Sequence, residues 1–135
     1  MSTPVGKTHD QGWEIGVSRT LPVDERTAWE MVLRALGLEQ AARAEGPRFE
    51  RGQVIETAGK IKIEIRSYDH GSLLRMRWRP PEWDFDSTLQ VRIKPATSGM
   101  TISVHHEKLE SGEQRRAMRD RWTALLDGLR AGAEK

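Results

Sequence analysis

An alternation running through the middle of the chain restricts its fold more than any other feature. Ile61, Ile63 and Ile65 alternate with Lys62, Glu64 and Arg66, and Leu74, Met76 and Trp78 with Arg75, Arg77 and Arg79. Leu89, Val91 and Ile93 then alternate with Gln90, Arg92 and Lys94, and Met100, Ile102, Val104 and His106 with Thr101, Ser103, His105 and Glu107. Successive side chains on a strand point to opposite faces, so each run predicts a strand with one apolar and one polar face. Ala58-Gly59, Asp69-His70-Gly71 and Ser98-Gly99 provide turns between runs, and Pro80-Pro81 breaks another. Parallel pairing needs a crossover of a dozen or more residues, so short turns predict an antiparallel meander. Val54-Ile55-Glu56-Thr57 adds a strand before it. Trp13, Ile15 and Val17, alternating with Glu14, Gly16 and Ser18, predict a first strand near the start.

A sheet with one apolar face needs a cover. Two segments carry helical spacing. After Leu21-Pro22, Asp24 stands at a helix N-cap position, Trp29, Val32, Leu33 and Leu36 recur at helical intervals, and Gly37 supplies a stop. Ser111-Gly112-Glu113-Gln114 is a capping-box pattern, and Met118, Trp122, Leu125, Leu126 and Leu129 form one apolar stripe behind it. Burying that stripe contributes roughly 1.5–3 kcal/mol per side chain. The cap contributes about 1 kcal/mol. The stripe therefore decides where this helix docks. Glu39 to Glu45, before Gly46-Pro47, has the composition of a short second helix. These elements predict an α+β domain: a curved antiparallel sheet packed around a long C-terminal helix, with one or two short helices after the first strand. Residues 1–11 read as a disordered leader, 12–131 as a single domain and 132–135 as a flexible tail.

The 22 basic and 20 acidic residues leave a net charge of +2, which calls for no polyanionic partner. With 36% apolar residues the core is lean, and the five tryptophans supply much of its bulk. No cysteine is present, which removes disulfides, thiolate metal sites and cysteine nucleophiles together. Met1–Gln11 holds no apolar run of the signal-peptide kind, and no stretch approaches the ~20 apolar residues of a membrane span. The expected location is cytoplasmic.

The residues that invite chemistry are few. His105-His106-Glu107 resembles a metal cluster, but neighbours on a strand face opposite ways, so the two histidines do not chelate together. His105 and Glu107 share a face and lack an identifiable third ligand, so no metal is expected. His106 falls with Ile102 and Val104 on the inner face, either as a satisfied core-edge histidine or as a polar group in an apolar pocket. Asp84 and Asp86 flank Phe85 in a loop and read as solvated. No G-x-S-x-G occurs, and Gly6-Lys7-Thr8 has only the ending of a phosphate loop. The expectation is a non-enzyme without a cofactor. Arg66, Arg75, Arg77, Arg79, Arg92 and Lys94 form an outward basic field without the aromatic platforms of a single-strand binder, so nucleic acid is not expected.

Glu64-Ile65-Arg66-Ser67-Tyr68 and Leu74-Arg75-Met76-Arg77-Trp78-Arg79-Pro80 resemble the middle strands of the START-like (SRPBCC) superfamily, whose fold is the helix grip. Ser87-Thr88-Leu89-Gln90-Val91, His105-His106-Glu107-Lys108-Leu109, Leu21-Pro22-Val23-Asp24 through Trp29, and a last helix with Arg116, Trp122, Leu125 and Leu129 are similar to the branch of heat-shock-protein-90 ATPase activator homologues. The resemblance covers about residues 13–131. The segment after the first helix is short, without the usual Trp-rich stretch, and Arg121 and Met118 stand where many relatives carry Gly and His. The resemblance implies a gap between sheet and C-terminal helix as the ligand site, lined by Met76, Trp78, Val91, Ile102, Val104, His106, Met118, Trp122 and Leu125, unless these residues are plain core and the tryptophans fill it. An apolar small molecule is the first expected partner. The alternatives are a protein partner, as in a co-chaperone module, and a self-resistance role against a reactive natural product. No membrane is expected as partner, and the expected state is a monomer or weak homodimer.

Overall fold

The computed structural model describes residues 7–8, 12–39 and 49–134. Its elements are β1 (Lys7–Thr8), β2 (Gly12–Leu21), α1 (Glu25–Leu36), β3 (Val54–Glu56), β4 (Lys62–Asp69), β5 (Leu73–Arg79), β6 (Ser87–Ala96), β7 (Gly99–Leu109) and α2 (Gly112–Ala133). The strands form one curved antiparallel sheet in the order β1-β2-β7-β6-β5-β4-β3. The expected meander runs from β3 to β7, and β2 returns beside β7. Lys7 and Thr8 lie within the expected leader and pair with Trp13 and Gly12. The second helix expected at Glu39 to Glu45 falls almost wholly outside the described residues.

Pairing register explains which side chains meet. Ile65, Met76, Leu89, His106 and Ile15 stand opposite one another in turn across β4, β5, β6, β7 and β2. Leu74, Val91, Val104 and Val17 form the neighbouring row. Both rows are buried, so the parity predicted for the strands is the parity of the core. His106 replaces an aliphatic side chain in the middle of the first row.

Two irregularities depart from simple alternation. Between Ile65 and Ser67 the β4–β5 register shifts, so Ser67 faces Arg75 and Tyr68 faces Leu74. Continued alternation would have sent Tyr68 outward. The bulge instead turns it toward the rings of Trp29 and Phe49, at centroid distances of 6.1 and 5.3 Å. Near the end of β7, Lys108 adopts φ 63°, and beyond it Leu109 is buried although its parity matches the outward residues. At the β6–β7 turn, Gly99 has φ 145°, and a Cβ there would lie 1.9 Å from the Leu21 carbonyl oxygen. Only glycine permits this close approach of turn and strand.

Both helices start as the sequence predicts. The Asp24 carboxylate accepts from the Thr27 N–H at 2.8 Å, and Ser111 Oγ accepts from the Gln114 N–H at 3.1 Å. The α2 stripe lies on β2 and β7, with Trp122 and Leu126 buried and Met118, Leu125 and Leu129 half-buried. Two polar ties fix its direction. Arg115 donates to the Glu14 carbonyl at 2.9 Å, and Arg19 pairs with Asp127 at 2.8 Å. No helix among the described residues is long and apolar enough to cross a membrane.

Candidate functional site

The residues expected to line a ligand cavity lie together beneath α2. Met76, Trp78, Val91, Ile102, Val104, His106 and Trp122 are buried, and Met118 and Leu125 are half-buried. The gap between sheet and helix, bounded by Val91, Ile102, Val104, Trp122, Leu125 and Leu126 with Val32 and Leu36 of α1, measures about 10 Å³. That is at most the space of one water molecule.

His106 is held by a chain of hydrogen bonds. Its Nδ1 lies 3.0 Å from Trp122 Nε1, its Nε2 lies 2.8 Å from Ser87 Oγ, and that oxygen lies 2.6 Å from the Trp78 carbonyl. An indole N–H only donates, so Nδ1 accepts and the imidazole proton sits on Nε2. Nε2–H then donates to Ser87, whose hydroxyl donates to the Trp78 carbonyl. Every polar atom in this relay has its partner, so a histidine is tolerated amid aliphatic neighbours. Burial pushes the imidazole pKa down to about 3, assisted by the charges of Arg121 and His105. His106 is therefore neutral at pH 7, with both nitrogens engaged. It secures Trp122 and Trp78 and has no free lone pair for proton abstraction.

Aromatic rings surround the relay. Trp78 meets His106 edge-on at 5.2 Å and Trp122 at 5.5 Å, and Trp83 packs on Trp78 at 5.5 Å while stacking on Phe85 at 4.9 Å. Arg79 Nε donates to the Trp83 carbonyl at 3.0 Å, holding the loop after β5 over this cluster.

Beside the closed interior is an open cleft of about 250 Å³ between the end of α1, the β3–β4 turn and α2. Trp78 and Trp122 reach its surface; Arg34, Ala35, Leu36 and Gly37 line one side, and Thr57, Ala58, Gly59 and Ile61 another. Arg121 lies across its floor, with the guanidinium carbon 4.9 Å from the Trp78 ring centroid and 5.3 Å from that of Trp122. Burial lowers the guanidinium pKa, and Glu82 acting through space raises it. The cleft thus draws on two of the nine expected residues, and the sequence reading did not place Arg121, Ser87 or the α1 end in any site. Ser87 carried a legible signal, since it shares parity with Leu89 and Val91 and so is a hydroxyl aimed inward. The α1 end and the β3–β4 turn carried none, because their approach to Trp78 is set by tertiary packing.

Other candidates resolve simply. His105 lies 3.1 Å from Glu107 through Nδ1 and 3.6 Å from Glu14 through Nε2, so the carboxylates flank the ring on opposite sides rather than converge on one point. Among the described residues no cluster of three potential ligands has metal-site geometry. Asp84 and Asp86 are exposed. In the outer basic field, Arg66 and Arg77 share Glu64 at 2.7 and 3.6 Å, and Arg75 contacts Gln90 at 3.1 Å and Glu107 at 3.5 Å.

Residues 24–134 match the family model described as "Activator of Hsp90 ATPase homolog 1-like protein". The chain belongs to this family. The match spans α1, the whole meander and α2, the elements that enclose both the relay and the cleft. No curated protein matches the sequence. Among solved structures, DynU16, titled a putative protein in the dynemicin biosynthetic locus, is similar with TM-score 0.71 and 15% identity, covering 90% of this chain. This chain spans about half of that one, 47% of its length. An HSP90 activator from Plasmodium falciparum gives TM-score 0.63 at 16% identity, covering 84% of this chain and 89% of that one. The Aha1 dimer from Colwellia psychrerythraea gives 0.69 at 8% identity, covering 90% and 96%. At these identities the likeness establishes the shared helix-grip architecture. The branch that the sequence resembles, the heat-shock-protein-90 ATPase activator homologues, is the family of the matching model.

Proposed function

We propose that this member of the Hsp90-activator-homologue family is a non-catalytic binding module that takes a small apolar molecule on the indoles of Trp78 and Trp122. The observation that carries this reading is the cleft of about 250 Å³ that meets both rings where the interior otherwise closes to about 10 Å³. Ligand pockets combine apolar and aromatic walls with a few placed polar groups, and sizes from roughly 300 Å³ are usual. This cleft falls just below that range and has the same construction. The relay through His106 and Ser87 pre-organises the floor, because it holds the Trp122 indole and the Trp78 backbone carbonyl, and the Trp78 ring packs edge-on against His106 and Trp122.

The test is a fragment titration followed through the indole N–H resonances of the isotopically labelled chain. Binding fragments should move the signals of Trp78 and Trp122 together and leave that of Trp29 in place. Fragments that move only Trp29, or none that moves the pair, would remove the cleft from consideration.

A second reading, a protein-interaction module, is favoured by the exposed Arg77, Arg92 and Lys94 on the outer sheet face. Reversing Arg75, Arg77 and Arg92 to Glu should abolish a partner that docks there. An unaltered complex would place the partner elsewhere.

A further inference from the structure

Resting on the reading of the cleft as a binding site, we infer that its ligand is a planar aromatic molecule, apolar but for one carboxylate, with Arg121 as the counter-charge. Two charged residues line the cleft, Arg34 and Arg121, and no carboxylate does. They are not equivalent. Arg34 is engaged by Glu39 at 3.1 Å. Arg121 has no hydrogen bond or ion pair among the described residues, and rests against two ring faces instead. Arginine prefers a planar, bidentate oxygen partner, so a guanidinium parked on indoles is poised for an arriving carboxylate.

The rest of the cleft orients such a ligand. The end of α1 is the negative pole of that helix, and although Gly37 and Leu38 N–H groups cap the Arg34 and Leu33 carbonyls, an anion is disfavoured there. Ala35, Leu36 and Ile61 on that side offer apolar contact. The carboxylate therefore belongs at the α2 side, on Arg121, with the ring directed toward α1 and the β3–β4 turn. A flat ring suits the remaining surface, because the guanidinium that covers the two buried indoles is itself a planar stacking partner. The volume suits one or two fused rings. It excludes a long acyl chain, for which the closed interior has no room.

Naphthalene-2-carboxylate and its neutral isostere naphthalene-2-carboxamide separate the two levels of the argument. Each is titrated into the full chain, with affinity and indole shifts read together. The carboxylate should bind at least about 10-fold more tightly than the amide, as expected for a charge-assisted contact. Arg121→Gln should erase that preference, the two compounds then binding with equal affinity, and Arg121→Lys should restore part of it. Residue 121 is exposed on α2 while its guanidinium rests on the Trp78 and Trp122 rings, so urea unfolding of each variant is measured beside the titrations. Equal affinity for the two compounds would overturn the anion inference and leave the cleft intact as a binding site. A preference that survives Arg121→Gln would overturn the role of Arg121. If neither compound moves the Trp78 and Trp122 signals, the inference and the reading beneath it both fall.

Discussion

At Nδ1 of His106 an indole N–H arrives from α2, and the ring's second proton, added at that nitrogen, would face a donor rather than an acceptor. Protonation therefore breaks the bond to Trp122 as well as charging a buried ring. The pKa lies at about 3 in the folded chain, against an ordinary 6.5 that the unfolded chain retains. Between those values the unfolded state binds a proton that the native state refuses, so stability falls as pH drops below about 6.5. Above it, both states are neutral and the group contributes no pH dependence. The slope for one such group is about 1.4 kcal/mol per pH unit. Urea unfolding at pH 6.5 and 5 should show the wild type losing roughly 2 kcal/mol more than His106→Asn over that interval. Identical pH dependence in the two proteins would contradict the relay. Ser87→Ala removes the acceptor for Nε2–H and should cost about 1–3 kcal/mol at pH 7, measured the same way. The inward direction of His106 was legible from parity. Its partners were not, since Ser87 and Trp122 are brought to it by strand register and by helix docking, neither of which leaves a local mark.

Elements were legible where one period ran unbroken. The meander, the two helix starts and the α2 stripe follow from spacing and capping residues that act within a few positions. Bulges did not announce themselves: Arg66-Ser67 carries no glycine, yet the register shift there brings Tyr68 under Trp29. The favourable packing of three aromatic rings compensates for a disrupted ladder, and that balance is tertiary. The same distinction between local and tertiary control makes α2 easy to strengthen. Gly128 lies inside it, exposed, and a Cβ there would meet nothing within 4 Å. Gly128→Ala should therefore stabilise the chain by about 0.5–1 kcal/mol through the lower backbone entropy of the unfolded state. Thermal or urea denaturation checks this, and a destabilised variant would mean that the solvent side of α2 is packed against something.

For the molecule as a whole, the decisive quantity is how completely the helix fills the curve of the sheet. The resemblance to START-like proteins implied a gap there, open or filled by bulky side chains, and five of the nine residues named for it, Val91, Ile102, Val104, Trp122 and Leu125, border what remains of it. In this chain the bulk of Trp78 and Trp122 closes it, while the edge between α1, the β3–β4 turn and α2 remains open. Composition hinted at this through its tryptophans, but whether a ring fills a cavity or lines it depends on a few ångströms of helix placement that no periodicity encodes. The two arrangements respond differently to the loss of one side chain. Leu126 is fully buried and borders the residual gap. Leu126→Ala should cost about 2–5 kcal/mol, the transfer of the lost atoms plus the cavity left behind. An apolar cavity of that kind stays dry and accepts a small hydrocarbon. Benzene should consequently raise the melting temperature of the Leu126→Ala protein and leave that of the wild type where it was, because ligand binding stabilises only a state that has room for it. If benzene stabilises the wild type equally, the interior between sheet and helix already opens in solution, and the ligand belongs under α2 rather than at its edge.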